Sequence, residues 1–209
     1  MCVINDKYNS DSKAGLLLLE AEKYCENHQF LEAIRLLENI QENDMPEKFF
    51  LLGYVYETGG DGVPQDTEKA KFFYGRYAEE LSILFGKGNL EAGFVMAGKY
   101  QYGQIVPRSE KKAMDIYERC AEHGHAQAAF HLSTIWQYGW CGVIANEAQQ
   151  MYWLDRAVFL EWPEALYHKG LILLKSAITK EQKKHGLELI NKAAKAGFWP
   201  ALEHLSTVK

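Results

Sequence analysis

The chain has no excess of basic residues: 23 Lys and Arg stand against 28 Asp and Glu, a formal net charge of -5. Nucleic-acid binding draws on a basic stripe that displaces phosphate counterions, so no nucleic-acid partner is expected. Long apolar runs are also missing. The longest aliphatic stretch, Leu16-Leu17-Leu18-Leu19, is four residues, against the ~20 that span a bilayer, so no membrane insertion is expected. Of the four cysteines, Cys2, Cys25, Cys120 and Cys141, none forms a Cys-x-x-Cys pair. Neither a zinc site nor a dithiol redox motif follows from that spacing. The opening MCVINDKYNSDSK lacks the charged-then-apolar pattern of a secretory leader. A cytoplasmic protein with reduced thiols is therefore expected, Cys2 among them.

What the sequence has instead is repetition. Taking Gly53 as a reference, Tyr56, Gly59, Val63, Asp66, Lys69-Ala70 and Phe73-Tyr74 follow. From Ala97, with a loop one residue shorter, come Tyr100, Gly103, Val106, Ser109, Lys112-Ala113 and Ile116-Tyr117. From Ser133 the series is Trp136, Gly139, Val143, Asn146, Gln149-Gln150 and Trp153-Leu154. A weaker copy from Gly170 keeps Leu173, His185-Gly186 and Leu189-Ile190, and Ala33 with Leu36-Leu37 marks an earlier half-copy. Three residues before each reference stand Phe50, Phe94, Phe130 and Tyr167. From Ala33 the small-residue position recurs at intervals of 37, 43, 37 and 36 residues, the long interval holding an insertion near Glu80–Asn89.

Each copy is legible physically. Phe50, Gly53 and Tyr54 follow helical spacing. Gly59 and its equivalents suit the left-handed residue that closes a helix. Asp66, Ser109 and Asn146 suit the N-cap of a second helix, and Thr179-Lys180-Glu181-Gln182 has capping-box spacing. A two-helix unit cannot bury its apolar faces alone, so copies must stack. The fold class expected is all-α, a right-handed α-solenoid of about five antiparallel helical hairpins. As boundaries we take a flexible terminus over 1–12, a hairpin over 13–46, repeats over 47–88, 89–124, 125–161 and 162–197, and a capping helix over 198–209. The insertion reads as a lengthened helix and loop.

These residues resemble the Sel1-like repeat, a relative of the tetratricopeptide repeat. The first copy carries the resemblance best, in Leu52-Gly53, Tyr56, Gly59, Gly62-Val63, Asp66, Lys69-Ala70 and Phe73-Tyr74. The fourth departs most, with Leu173 for the aromatic and Ser176-Ala177-Ile178 for the glycine loop. The resemblance implies a scaffold or adaptor that holds a partner protein or peptide on a concave groove lined by first helices. It also brings two alternatives: a bacterial immunity-type protein neutralising a cognate secreted effector, and a hydrolase or β-lactam-binding protein. The β-lactam-linked branch carries a Cys pair in each repeat, which this chain lacks.

No catalytic constellation stands out, and neither an enzyme nor a cofactor is expected. His123-Gly124-His125 falls at a junction between copies, without the further ligands that a tetrahedral site needs. His131 and His168 read as surface or partner-contact groups. Ser133 and Cys120 read as packing residues, and Cys141 as a loop thiol open to reaction. The recurrent aromatics read as inter-repeat core. Binding identity should lie in first-helix residues that do not recur, Tyr54, Glu57, Lys99, Gln101, Tyr102, Gln137, Tyr138 and Lys175, with Trp140 adding aromatic area at the loop of the third copy. Tyr and Trp among them are the side chains protein interfaces favour.

Overall fold

The computed structural model describes residues 12–41 and 45–207, and those residues form eleven helices. Residues 1–11, Cys2 included, lie outside the described residues, as do 42–44 and the last two residues of the expected capping helix. The helices are α1 (Lys13–Glu26), α2 (Phe30–Glu38), α3 (Glu47–Thr58), α4 (Thr67–Gly86), α5 (Leu90–Tyr102) and α6 (Glu110–Glu122). They continue with α7 (Ala126–Tyr138), α8 (Glu147–Phe159), α9 (Pro163–Ser176), α10 (Lys180–Lys195) and α11 (Trp199–Thr207). The expected lengthening is found: the insertion extends α4 to 20 residues, whereas α6 and α8 have 13 each.

The chain divides into two compact units. One takes in the chain as far as Ala92 together with Gly103–Pro107; the other takes Gly93–Tyr102 together with the chain from Arg108 onward. In the first unit, Leu18, Phe30, Ala33, Leu37 and Val55 form a buried cluster drawn from α1, α2 and α3. In the second, α7 pairs with α8, and α9 pairs with α10, which in turn meets α11.

The caps form as their side chains allow. The side chains of Asp66, Ser109, Asn146 and Thr179 each accept from the backbone N–H three residues on, and Gln182 completes the capping box with Thr179. A further bond was not visible from the cap residues alone. The N–H of the first three of these caps donates back to the carbonyl of the recurring aromatic: Asp66 to Tyr56 at 2.8 Å, Ser109 to Tyr100 at 2.9 Å, Asn146 to Trp136 at 2.9 Å. Gly59 (φ 66°) and Gly139 (φ 70°) turn the chain between these two ends. A Cβ on Gly59 would come within 2.7 Å of the Gln65 nitrogen.

The two aromatic series turn out to do different things. Tyr56 stacks on Phe73 at 5.6 Å with Lys69 over its ring at 4.8 Å, and Lys112 lies 5.1 Å from the Tyr100 ring. These contacts close the Tyr56 and Tyr100 hairpins, and Tyr56 also packs against the buried cluster drawn from α1, α2 and α3, in keeping with the core role expected for this series. The other series does join copies. Phe94 meets His131 at 6.0 Å, Phe130 meets His168 at 5.4 Å, and Tyr167 meets His204 at 6.0 Å. The three histidines follow one another at intervals of 37 and 36 residues. His131 and His168 are thus inter-repeat groups as well as partly or wholly accessible ones, which corrects their reading as simple surface residues.

The reference position is where helices come closest. Ala97 and Ser133 are buried there, and the Ser133 hydroxyl is satisfied by the Phe130 carbonyl at 2.8 Å. In the α9–α10 pair a Cβ on Gly170 would stand 2.6 Å from Ile190 and 2.8 Å from the Gly186 carbonyl oxygen. Backbone cannot yield as a flexible side chain can, so Gly170→Ala should destabilise the protein by about 1–3 kcal/mol, as overpacking does. Gly75, in α4, has nothing within 4 Å of an added Cβ, and Gly75→Ala should instead stabilise by about 0.5–1 kcal/mol. Urea unfolding of the two variants beside the parent measures both signs.

Candidate functional site

In the second unit the end of α5, the start of α6 with Arg108 just before it, and the loop after α7 border a cleft of about 650 Å³. Gln101, Tyr102, Arg108, Glu110, Trp140 and Cys141 line it, with Gly139 and Gly142. Tyr102 is 61 % exposed and Trp140 44 % exposed. Tyr138, 59 % exposed, stacks on Trp140 with ring centroids 5.2 Å apart and planes 25° from parallel. The Trp140 N–H bonds to the Ile135 carbonyl at 3.1 Å, which fixes the loop where α7 ends and so aims the indole. Arg108 and Glu110 form an ion pair across the cap residue Ser109.

Of the nine residues expected to touch a partner, four gather here: Gln101, Tyr102, Tyr138 and Trp140. Gln137 and Lys175 are exposed elsewhere in the second unit, and Lys99 is half-buried in α5. Tyr54 and Glu57 belong to the first unit. Tyr54 is half-buried edge-on to Phe30, and Glu57 accepts a 2.7 Å hydrogen bond from the Tyr74 hydroxyl. Burial, and after it that carboxylate, push the Tyr74 phenol well above its ordinary range.

Gln101 differs from its expected place on the open surface. Its side chain is 6 % exposed, and its amide oxygen accepts from the Tyr117 hydroxyl at 2.9 Å and from His131 Nε2 at 3.0 Å. An amide oxygen only accepts, so His131 must carry its proton on Nε2. Tyr117 is packed against Phe94 and His131, and burial raises its pKa. Gln101 is therefore the floor of the cleft, held by two bonds at one atom. The sequence misses this because residues 101 and 102 are adjacent at the end of a helix, and only packing decides which turns inward. Arg108 and Glu110 are missed too, since a charged pair beside a cap reads as a solvated helix start.

The remaining polar groups have structural work. His125 caps α7, its Nδ1 accepting from the Ala128 N–H at 3.1 Å, while His123 Nδ1 bonds to the Arg119 carbonyl at 2.7 Å. Arg156 of α8 reaches the last carbonyls of α6, donating to Glu122 at 2.8 Å, where a cation also suits the helix dipole. Cys120 is buried, and Cys25 is buried with its thiol pushed up to about 12. Cys141, the thiol expected to be open to reaction, is half-buried, and burial followed by Glu110 raises its pKa, with Arg108 opposing. A nucleophilic cysteine needs the opposite shift, so the environment disfavours the expected reactivity.

The Sel1 repeat family matches this sequence over residues 50–80, 93–125, 126–158 and 163–198. That is more than half of the chain, and the chain belongs to the Sel1 repeat family. Among curated proteins it is 29 % identical over 125 residues to "Chitin synthase regulatory factor 3" of Schizosaccharomyces pombe, covering 60 % of this chain and 13 % of that protein. It is 28 % identical over 95 residues to "Chitin synthase regulator SKT5" of Saccharomyces cerevisiae, covering 46 % of this chain and 13 % of that one. The chain thus matches only about an eighth of the length of either relative. A solved Sel1 repeat protein from Oxalobacter formigenes superposes with a TM-score of 0.51 at 22 % identity, over 88 % of this chain and 70 % of that one. The likeness is one of fold, and the fold is the all-α solenoid of this family. No helix among the described residues is long and apolar enough to cross a membrane.

Burial lowers the His131 pKa from its ordinary 6.5. The unfolded chain takes up this proton at the ordinary value and the folded chain resists it, so below that pH the unfolded state binds more protons. The contribution of His131 to stability is full above 6.5 and is lost as pH falls through the folded value. Melting temperature followed from about pH 7 to pH 5 should therefore fall less steeply in His131→Phe than in the parent. Equal slopes would show that the ring protonates as freely folded as unfolded.

Proposed function

We propose that the chain is a non-catalytic adaptor that binds a partner protein or peptide through the surface around Tyr102, Tyr138 and Trp140. The observation that carries this reading is three exposed aromatics set on a floor that is itself buried and hydrogen-bonded. Large rings left in water cost free energy that a partner can recover. A surface fixed before binding also loses little side-chain entropy when a partner arrives. Tyr and Trp in such settings are frequent interface hot spots. The family supports the reading, since repeats of this kind serve as scaffolds, and two curated relatives carry the word regulator or regulatory in their names.

The site's chemistry points the same way. Arg108 and Glu110 neutralise each other, the Gln101 oxygen is occupied, and the Cys141 thiol is held in its protonated form. What is left to meet a partner is flat apolar area rimmed by groups that can donate or accept hydrogen bonds, which suits recognition.

Affinity purification from the native host, with the parent chain and Tyr102→Ala/Tyr138→Ala side by side, tests the reading. A protein retained by the parent should be lost or weakened roughly tenfold or more by the double variant. Both rings are exposed, so melting temperature should change little. A large fall in melting temperature would make these rings part of the core, and undiminished binding would move the interface elsewhere.

A further inference from the structure

Two aliphatic side chains stand almost wholly in water at neighbouring hairpin tips. Ile144, in the loop between α7 and α8, is 88 % exposed, and Ile178, in the loop between α9 and α10, is 92 % exposed. Helices α7 to α10 pack one on the next, and each short loop reverses the chain, so both tips fall on the same edge of the second unit. The backbone beneath each isoleucine is held. The N–H of Ile178 donates to Gln182 Oε1 at 2.8 Å, and the N–H of Thr179 donates to the same atom at 3.1 Å. Ile144 stands two residues before Asn146, whose N–H is tied to the Trp136 carbonyl at 2.9 Å. An apolar residue just ahead of an N-cap ordinarily packs on the fourth residue of the helix it introduces. Here that residue is Lys183, and Ile178 stays in water.

The charge around them is uneven. The chain carries a net charge of -5, yet residues 175–185 hold Lys175, Lys180, Lys183 and Lys184 against Glu181 alone. All five are exposed. Lys184 lies 3.9 Å from Glu188, which His185 shares, whereas Lys175, Lys180 and Lys183 form no ion pair among the described residues. The α7–α8 tip adds one carboxylate, Glu147. Lysines in the first turns of α10 meet the positive end of the helix dipole, so they oppose folding rather than help it. Side chains as exposed as Ile144 and Ile178 stand on convex ground, which does not suit a peptide seeking a groove. A lipid surface is flat, yields locally and takes both isoleucines at once, while anionic headgroups meet the lysines and their aliphatic stems lie along the interface. Apolar contact combined with a basic cluster is what attaches proteins reversibly to a negatively charged leaflet. We propose that this edge of the second unit docks on an anionic phospholipid surface, with Ile144 and Ile178 entering the boundary between headgroups and acyl chains and Lys175, Lys180, Lys183 and Lys184 binding the headgroups. Nothing spans the bilayer in such an attachment, and it does not depend on the adaptor reading.

The test is co-sedimentation of the full chain with vesicles of phosphatidylcholine alone or with about 30 % phosphatidylserine. The chain should pellet with the second kind and stay in solution with the first, and raising salt from about 0.1 M to about 0.5 M should release it. Ile144→Ser/Ile178→Ser should weaken binding roughly tenfold or more by removing its apolar part. Lys180→Gln/Lys183→Gln/Lys184→Gln should weaken it as much by removing charge. The substituted side chains are all exposed, so the helical circular-dichroism signal should match the parent in both variants. A chain that stays in solution with both kinds of vesicle, pellets equally with both, or binds undiminished after either set of substitutions overturns the proposal. A fluorescent glutamate-rich peptide supplies the contrast. If that peptide binds by polarisation at the same salt while phosphatidylserine vesicles do not, the edge recognises an acidic protein segment and the lipid assignment falls.

Discussion

The hairpins hang on one backbone hydrogen bond. The N–H of a cap residue, Asp66, Ser109 or Asn146, donates to the carbonyl of the aromatic that ends the preceding helix. The cap is thereby used twice: its side chain satisfies an orphan donor of the helix it begins, and its backbone ties that helix to the one before. A loop closed in this way fixes where the second helix starts relative to the first. Small residues at the reference positions then decide how closely the two can lie. Gly170 against Gly186 is the limiting case, with carbonyl oxygens where any Cβ would have to go. From these two constraints the recurrent lysine also makes sense. Lys69 and Lys112 sit one turn into the second helix, over the rings of Tyr56 and Tyr100, so the closing aromatic is held from both ends. In the third copy Gln149 takes that position, and the ring there is Trp136.

Most of this was legible in the sequence because repetition multiplies weak signals. A single glycine after a helix or a single Asp before one says little. The same residue types at matched offsets in successive copies fix the register, and with it the caps at Asp66, Ser109, Asn146 and Thr179. The long interval between Ala70 and Ala113 likewise showed up as a longer α4. What repetition cannot do is separate two series that recur with the same period. Tyr56, Tyr100 and Trp136 recur as faithfully as Phe50, Phe94, Phe130 and Tyr167, yet Lys69 and Lys112 lie over the rings of Tyr56 and Tyr100 within their own hairpins, whereas Phe94, Phe130 and Tyr167 reach a histidine of the next copy. Only the direction of a side chain around its helix distinguishes them. The histidines were within reach of the same method, since His131, His168 and His204 keep the repeat interval. His131 and His168 were hidden because each stands beside a stronger aromatic signal, Phe130 and Tyr167.

The site was less legible for a related reason. Binding residues are sought where copies differ, and Gln101, Tyr102, Tyr138 and Trp140 were found that way. But difference alone does not say which side of the surface a residue serves. Gln101 and its counterpart Gln137 are the same residue type, yet Gln137 is exposed whereas Gln101 is buried and held by Tyr117 and His131. Cys141 shows the converse. A cysteine in a loop looks available, whereas its neighbours Glu110 and the cleft wall keep the thiol protonated.

The link between the cleft and the repeat interface runs through His131, which touches Phe94 on one side and Gln101 on the other. Its neutral form already carries a proton on Nε2, because Gln101 presents only an oxygen to it. Acid would add the second proton at Nδ1, away from that bond. The Gln101 oxygen would then still be met by a donor, and the amide would keep its orientation. The cost of the charge falls on the packing around the ring, where Phe94 and Tyr117 replace water. Acidification therefore weakens the joint between repeats before it alters what the cleft offers to a ligand. A lysine at residue 131 would hold a donor toward Gln101 only by keeping a full charge in the same packing. Imidazole supplies the donor while neutral, which is why an aromatic interface can also serve as the anchor of a polar site.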